Sequence, residues 1–176
     1  MNRLKWVFYL CVALLLVQPR APLLAIESIY EAPDAFVSRH FDSEPPEPSM
    51  LYPDQTIKDS IKGILGHRYS KFRIRYWLKD NRSVWVLEEI GKERPITSGF
   101  SIDADRIKEV KVLIFRESRG WEVRYDSFAD QFTDAKLTGS LELDRNIDNI
   151  SGATLSVRAV TKLARLALML HKSVIR

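Results

Sequence analysis

DNISGATLSVRAVTKLARLALMLHKSV, residues Asp148–Val174, is the stretch whose reading decides the fold. From Ala153 onward, Val160, Leu163, Ala164, Ala167, Leu170 and Val174 recur at helical spacing on one side, and Arg158, Lys162, Arg165 and Lys172 fall on the other. That pattern predicts one long helix packed on something apolar, with a solvated basic side. His171, in the last turn, reads as a cation placed at the helix terminus. The helix entrance is Ser-Gly-Ala-Thr: Ser151 is a favoured cap, Gly152 leaves the backbone uncovered, and Ala153 and Thr154 fall where N–H groups lack carbonyl partners. Such an end attracts anions. Ser151 and Thr154 are equally open to a plainer reading, as a helix cap without chemistry.

What the helix packs on is written upstream. KFRIRYWLK alternates Phe72, Ile74 and Tyr76 with Arg73 and Arg75, and SVWVLEEI follows the turn residues Asp80 and Asn81, which predicts a hairpin with one wet face. PITSGFSID and RIKEVKVLIF supply two further strands, the second with Val110, Val112 and Ile114 on one face, and SLELD is a candidate for another. The expected fold class is therefore α+β: a small antiparallel β-sheet against a long C-terminal helix and shorter helices. The shorter helices are expected at APDAFVSRHF, where Pro33 suits a first turn, over Thr56–Leu65 with Thr56 and Asp59 as capping residues and Gly66 as the stop, and around Ser127–Phe132. Pro45, Pro46, Pro48 and Pro53 mark an extended connector between the first two. Three segments are expected: residues 1–25 as a signal peptide or N-terminal anchor, 26–55 as an extension and connector, and 56–176 as the folded domain.

The N-terminal expectation rests on MNRLK followed by the apolar run Trp6–Val17 and then QPRAPLLA. This is the layout of an exported chain cut after Ala25. The run is shorter than the roughly 20 residues a spanning helix needs, which makes an uncleaved anchor the weaker reading. Cys11, the single cysteine of the 176 residues, lies inside the run, so the processed chain holds no thiol for disulfides, catalysis or a thiolate metal site. Removing Arg3, Lys5 and Arg20 also takes the formal charge from +4 to about +1, with the remaining cations interspersed among acids. Nucleic-acid binding is not expected. His40, His67 and His171 are far apart with no carboxylate at ligand spacing, which gives no support to a metal site or a hydrolytic triad.

Asp148, Ser151, Gly152, Ala153 and Thr154 spell Asp-x-x-Ser-Gly-Ala-Thr, and this resembles the flavinylation motif of the FMN-binding domain found in subunits of sodium-translocating NADH:quinone reductase and the related Rnf electron-transfer complexes. The resemblance implies FMN attached covalently through a phosphoester to Thr154, with Asp148, Ser151, Gly152 and Ala153 as the text read by a FAD:protein FMN transferase acting outside the cytoplasm. The segment RESRGWEVRYDSFADQF resembles the family's Glu-Thr-Pro-Gly-x-Gly loop followed by a Phe and a Gln-Phe pair, matched at Glu117, Gly120, Phe128, Gln131 and Phe132; Ser118 and Arg119 depart from it. Ser156, one turn into the helix, can donate to a phosphate, and Trp121 can stack on the flavin ring. The implied function is an exported electron carrier between a membrane-bound redox protein and an extracytoplasmic acceptor, with a periplasmic location, free or membrane-associated. Two alternatives stand beside it: an exported binding or structural module whose threonine is never modified, and a small-molecule reductase with non-covalent flavin.

Overall fold

The computed structural model describes residues 27–175; the expected signal segment, with Cys11 and the cleavage position after Ala25, lies outside them. The strands are β1 (Ser28–Ile29), β2 (Ser49–Leu51), β3 (Ile74–Lys79), β4 (Arg82–Ile90), β5 (Pro95–Asp103) and β6 (Arg106–Phe115). The helices are α1 (Pro33–Arg39), α2 (Gln55–Leu65), α3 (Asp126–Ala129) and α4 (Thr154–Val174), with 3-10 turns at Trp121–Arg124 and Asp130–Phe132. All six strands form one antiparallel sheet in the order β1-β6-β5-β4-β3-β2. The α+β architecture expected from the sequence is what the chain adopts.

Local chemistry explains most of these boundaries. β3 and β4 close through Asp80–Asn81, with Asp80 at φ 53° and Lys79 opposite Arg82. β5 and β6 close through Ala104 and Asp105, both at positive φ. Aspartate tolerates this left-handed backbone at Asp80 and Asp105 because its short side chain bonds locally, while Ala104 adopts it without that help. Gly66, at φ 84°, ends α2 as expected. The cap of α2, however, is Asp54 and not Thr56: its carboxylate accepts the Ile57 N–H at 2.8 Å, so the helix starts earlier than the Thr56–Asp59 pair suggested. SLELD forms no strand; Leu137 and Leu143 meet in a single bridge.

The hairpin's second face is wet only in part: Arg73 and Arg75 are exposed as expected, but Trp77 and Val84 on the same side are buried. α4 and α2 cover one side of the sheet over a core that includes Trp85, Leu87, Phe100, Ile102, Val160, Leu163 and Leu170. α1 covers the other with Phe36, Val37 and Phe41 against Trp77, Val84 and Leu113. The fit is close: a Cβ on Gly99 of β5 would meet Phe36 Cε1 at 2.5 Å, so the ring sits where only glycine leaves room. A bulge corrects a second expectation. Thr97 pairs with Ile114 and Ser98 with Val112, which leaves Leu113 extra, and Ile114 is thereby turned to the α1 side, away from Val110 and Val112.

The register also fixes which ends lie together. The start of β1, the end of β2, the start of β3, the end of β4, the start of β5 and the end of β6 share one end of the sheet. α4 begins at that end and finishes at the other, where His171 bonds Ser83. No helix among the described residues is long and apolar enough to cross a membrane.

Candidate functional site at the entrance of α4

The motif loop is pinned from outside before it reaches the helix. Gln131 Oε1 accepts the Asp148 N–H at 2.7 Å, and Ile150 O accepts the Ala153 N–H at 2.9 Å. Gln131 lies in the short turn between Phe128 and Phe132, both buried and edge-to-face at 5.3 Å. Gly152 then reverses the chain at φ 84° with open space around its α-carbon. Ser151 does not cap the helix: that position is Ala153, at φ −116° and ψ 12°, and no side chain accepts from the first turn. The left-handed Gly152 places Ser151 too early in the chain for the task. Thr154 is the first helical residue. Among the described residues, the N–H groups of Thr154, Leu155 and Ser156 have no acceptor, while the Val157 N–H closes the first intrahelical bond on Ala153 O at 2.9 Å. This is the uncapped, partially positive end that suits an anion.

Thr154 Oγ1 accepts the Asn149 side-chain amide at 2.9 Å. Asn149 occupies an unspecified position of the motif, so the motif alone gave no reason to single it out. The hydroxyl stands between two open clefts. One, of about 540 Å³, is lined by Lys92, Glu117, Ser118, Arg119 and the turn from Gly152 to Ser156. The other, of about 470 Å³, runs along α4 beside Asn146, Asn149, Arg158, Lys162 and Arg165. Both fall in the range of small-molecule sites.

Glu117 and Gly120 build the wall of the first cleft. Glu117 Oε1 accepts three consecutive N–H groups, from Lys92 at 2.5 Å, Glu93 at 2.7 Å and Arg94 at 3.0 Å, and so folds the β4–β5 loop around itself. Gly120, at φ 82°, lies against the side chain of Ser156, and a Cβ there would press on Ser156 Oγ. Glycine is what lets this loop touch the first turn of α4. Ser156 is buried at that contact. Trp121 lies outside the lining of the cleft, 39% exposed, with the Arg124 guanidinium 4.7 Å from its ring centroid and Tyr125 edge-on at 5.8 Å. Lys92, Arg119 and Leu155 line the cleft without having carried any sequence signal; each is an unremarkable surface residue until the fold sets it beside Thr154.

The basic side of α4 is more engaged than a solvated face. Lys162 Nζ donates to Leu65 O at 2.6 Å, Arg165 Nε to Leu141 O at 2.6 Å, and Lys172 Nζ to Leu137 O at 3.3 Å. α2 and the 137–143 segment flank the helix, and long cationic side chains reach over its apolar surface to their carbonyls. Arg158 has no such partner among the described residues. His171 is not a terminal cation either. It is fully buried, and burial holds its pKa below the ordinary 6.5. Trp85 Nε1 donates to Ser83 Oγ at 2.7 Å, and Ser83 Oγ shares a hydrogen bond with His171 Nδ1 at 2.7 Å, while the buried Nε2 has no hydrogen-bond partner among the described residues. The other two histidines each have a carboxylate from another element, Glu109 at 3.3 Å from His40 and Glu89 at 2.9 Å from His67. Among the described residues, no group of three or more His, Cys, Asp or Glu is arranged to hold a metal ion.

The long helix of this α+β domain opens with free N–H groups, a reachable hydroxyl and two flanking clefts, a geometry that suits an anionic group at the helix entrance. The family is more specific: the model of the FMN-binding domain matches residues 91–169, so the chain carries a flavin-binding domain of that family. The match runs from the β4–β5 loop held by Glu117 into α4 and takes in β5, β6, the Gly120 loop and Thr154. No curated protein and no solved structure matches the chain.

Proposed function

We propose that this protein is an exported flavoprotein that carries FMN through a phosphoester on Thr154 and passes electrons between a membrane-bound redox protein and an extracytoplasmic acceptor. The observation that carries the reading is the position of one hydroxyl. Thr154 Oγ1 is the reactive group at the uncapped entrance of α4, inside the matched flavin-binding domain and between two clefts large enough for a nucleotide. The residues present fit a phosphate there: three free N–H groups, the positive end of the helix dipole, and Lys92, Arg119 and Arg158 within the lining of the two clefts. Gly152, with nothing near its α-carbon, leaves the backbone open to a FAD:protein FMN transferase, which would read Asp148 and Ser151 from the exposed loop.

Bound FMN supplies one- and two-electron chemistry; the chain supplies the place. Asn149 orients the Thr154 hydroxyl through the bond it donates, Gln131 fixes the loop that precedes it, and Glu117 and Gly120 hold the cleft wall against the helix. No proton-transfer pair is needed for such a role. Coexpression with a flavin transferase, followed by a denaturing gel viewed for flavin fluorescence, tests the assignment. A fluorescent band that disappears in Thr154→Val supports it, and a band that persists in that variant refutes it. Yellow colour released on unfolding would instead identify a non-covalent flavin reductase, and a chain that takes up no flavin an unmodified module.

A further inference from the structure

We propose that the end of the sheet carrying Thr154 is also a docking face for an anionic membrane surface, with phospholipid headgroups as the ligand. This goes beyond the flavin assignment and does not depend on it.

The end is marked by apolar side chains that stand out singly. Phe72, just before β3, is 74% exposed, Tyr52, just after β2, is 62% exposed, and Ile90, closing β4, is 58% exposed. Nothing in the packing of the described residues requires them to be apolar. Tyr52 and Phe72 lie side by side, with ring centroids 6.3 Å apart. Beside them stand cations without a carboxylate: among the described residues, Arg68 and Arg73 make no ion pair, Arg68 lines the same groove as Phe72, and the Arg73 guanidinium lies 5.7 Å from the Phe72 centroid. Acids stand at the same end: Glu88 is occupied by Lys71 at 2.8 Å, Glu89 by His67 at 2.9 Å and Glu117 by the β4–β5 loop, while Asp34 lines the groove beside Arg73 and Asp59 is the single acid of the groove that Phe72 shares with Lys58, Lys62, Arg68 and Lys71.

Protruding aromatics flanked by long cationic side chains are the residues that seat at a bilayer interface, rings at headgroup level and guanidinium groups on phosphate. A protein partner is the weaker fit, because these side chains project separately and do not form one closely packed patch. The start of the described chain supports the same orientation. Glu27 is tied to Arg116 at 3.1 Å, and Ser28 pairs with Phe115, so residue 27 lies at this end.

Vesicle cosedimentation of the full chain tests the proposal, using phosphatidylcholine alone and phosphatidylcholine with phosphatidylglycerol. The N-terminal segment carries Arg3, Lys5 and Arg20 and favours anionic lipid by itself, so these three are replaced by Gln in every sample and the signal is the increment due to anionic lipid that remains. We expect that increment to disappear at high salt and to fall roughly tenfold or more when Arg68 and Arg73 are both replaced by Gln. Phe72→Ser with Tyr52→Ser should reduce binding in low salt while leaving the circular dichroism spectrum unchanged. Equal binding to both vesicles, or an anionic increment indifferent to all four substitutions, overturns the proposal. So does a sedimenting dimer that Phe72→Ser dissociates, which would identify a second copy of this chain as the occupant.

Discussion

The two ends of α4 belong to one helix and obey opposite rules. At its finish, His171 is fully buried and Leu170 wholly enclosed, and the polar atoms there are chained from Trp85 through Ser83 to the imidazole. At its start, Leu155 is 44% exposed, the first-turn N–H groups have no acceptor among the described residues, and the neighbouring loop meets the helix only because Gly120 has no side chain. The closed end holds the fold. The open end has been left unsatisfied, and unsatisfied polar groups persist where a ligand can complete them.

The comparison breaks first if the closed end tolerates truncation. Leu170→Ala should cost about 2–5 kcal/mol, whereas Leu155→Ala at the open end should stay within about 0.5 kcal/mol; denaturant titration of the two variants side by side checks both. Similar costs would mean that the helix is anchored evenly along its length. Next in size is Gly120→Ala. A side chain at φ 82° that also presses on Ser156 should cost about 1–3 kcal/mol and loosen the Trp121–Arg124 turn from α4, seen as faster amide exchange confined to that turn and the first turn of the helix.

The pH dependence sharpens the contrast. Burial lowers the pKa of His171 below 6.5, so below that value the unfolded chain binds the extra proton, and stability falls as the medium acidifies. His67 acts with the opposite sign: the hydrogen bond to Glu89 raises its pKa, and its contribution is present below 6.5 and lost as pH rises through the higher folded value. Glu109, whose pKa burial would raise, is brought down to about 2 by the bonds from Arg39 and His40, so its contribution holds above 4.5 and is lost as pH falls toward 2. Melting curves should therefore show His171→Asn flattening the decline just below pH 6.5, and His67→Ala removing an opposing slope above it. A decline just below pH 6.5 that is unchanged in His171→Asn would contradict the buried neutral ring. The smallest effect belongs to Asn149→Ala, which should change stability by no more than about 0.5 kcal/mol while slowing flavin attachment, because it releases the Thr154 hydroxyl without exposing any core.

Legibility in the sequence follows the same division. The span of α4, the Asp80–Asn81 turn and the Gly66 stop were readable because periodicity and turn chemistry are local. The covered second face was not. It depends on Phe36 meeting Gly99 across the sheet, and neither residue carries a signal of the other. β1 and β2 are two and three residues long, too short for an alternation to show, and the bulge at Leu113 turns Ile114 over without any mark in the text. The fate of His171 was hidden for a related reason, since its partner Ser83 lies 88 residues away. At the site, the motif pointed to Thr154, but Asn149, Lys92 and Arg119 come beside it only from the way the β4–β5 loop and the motif loop converge on one helix entrance. Trp121 shows the converse: an aromatic in a suggestive position that lies outside the cleft and is occupied with Arg124.

The central claim is that the open end of α4 is open because Thr154 is to be esterified, and the intact mass of the protein purified from its own host measures this directly. The account predicts one added FMN unit on the chain, mapped by peptide sequencing to Thr154, and its complete loss in Thr154→Val with the melting temperature preserved. An unmodified mass from that source, or an FMN unit retained in the valine variant, would contradict it.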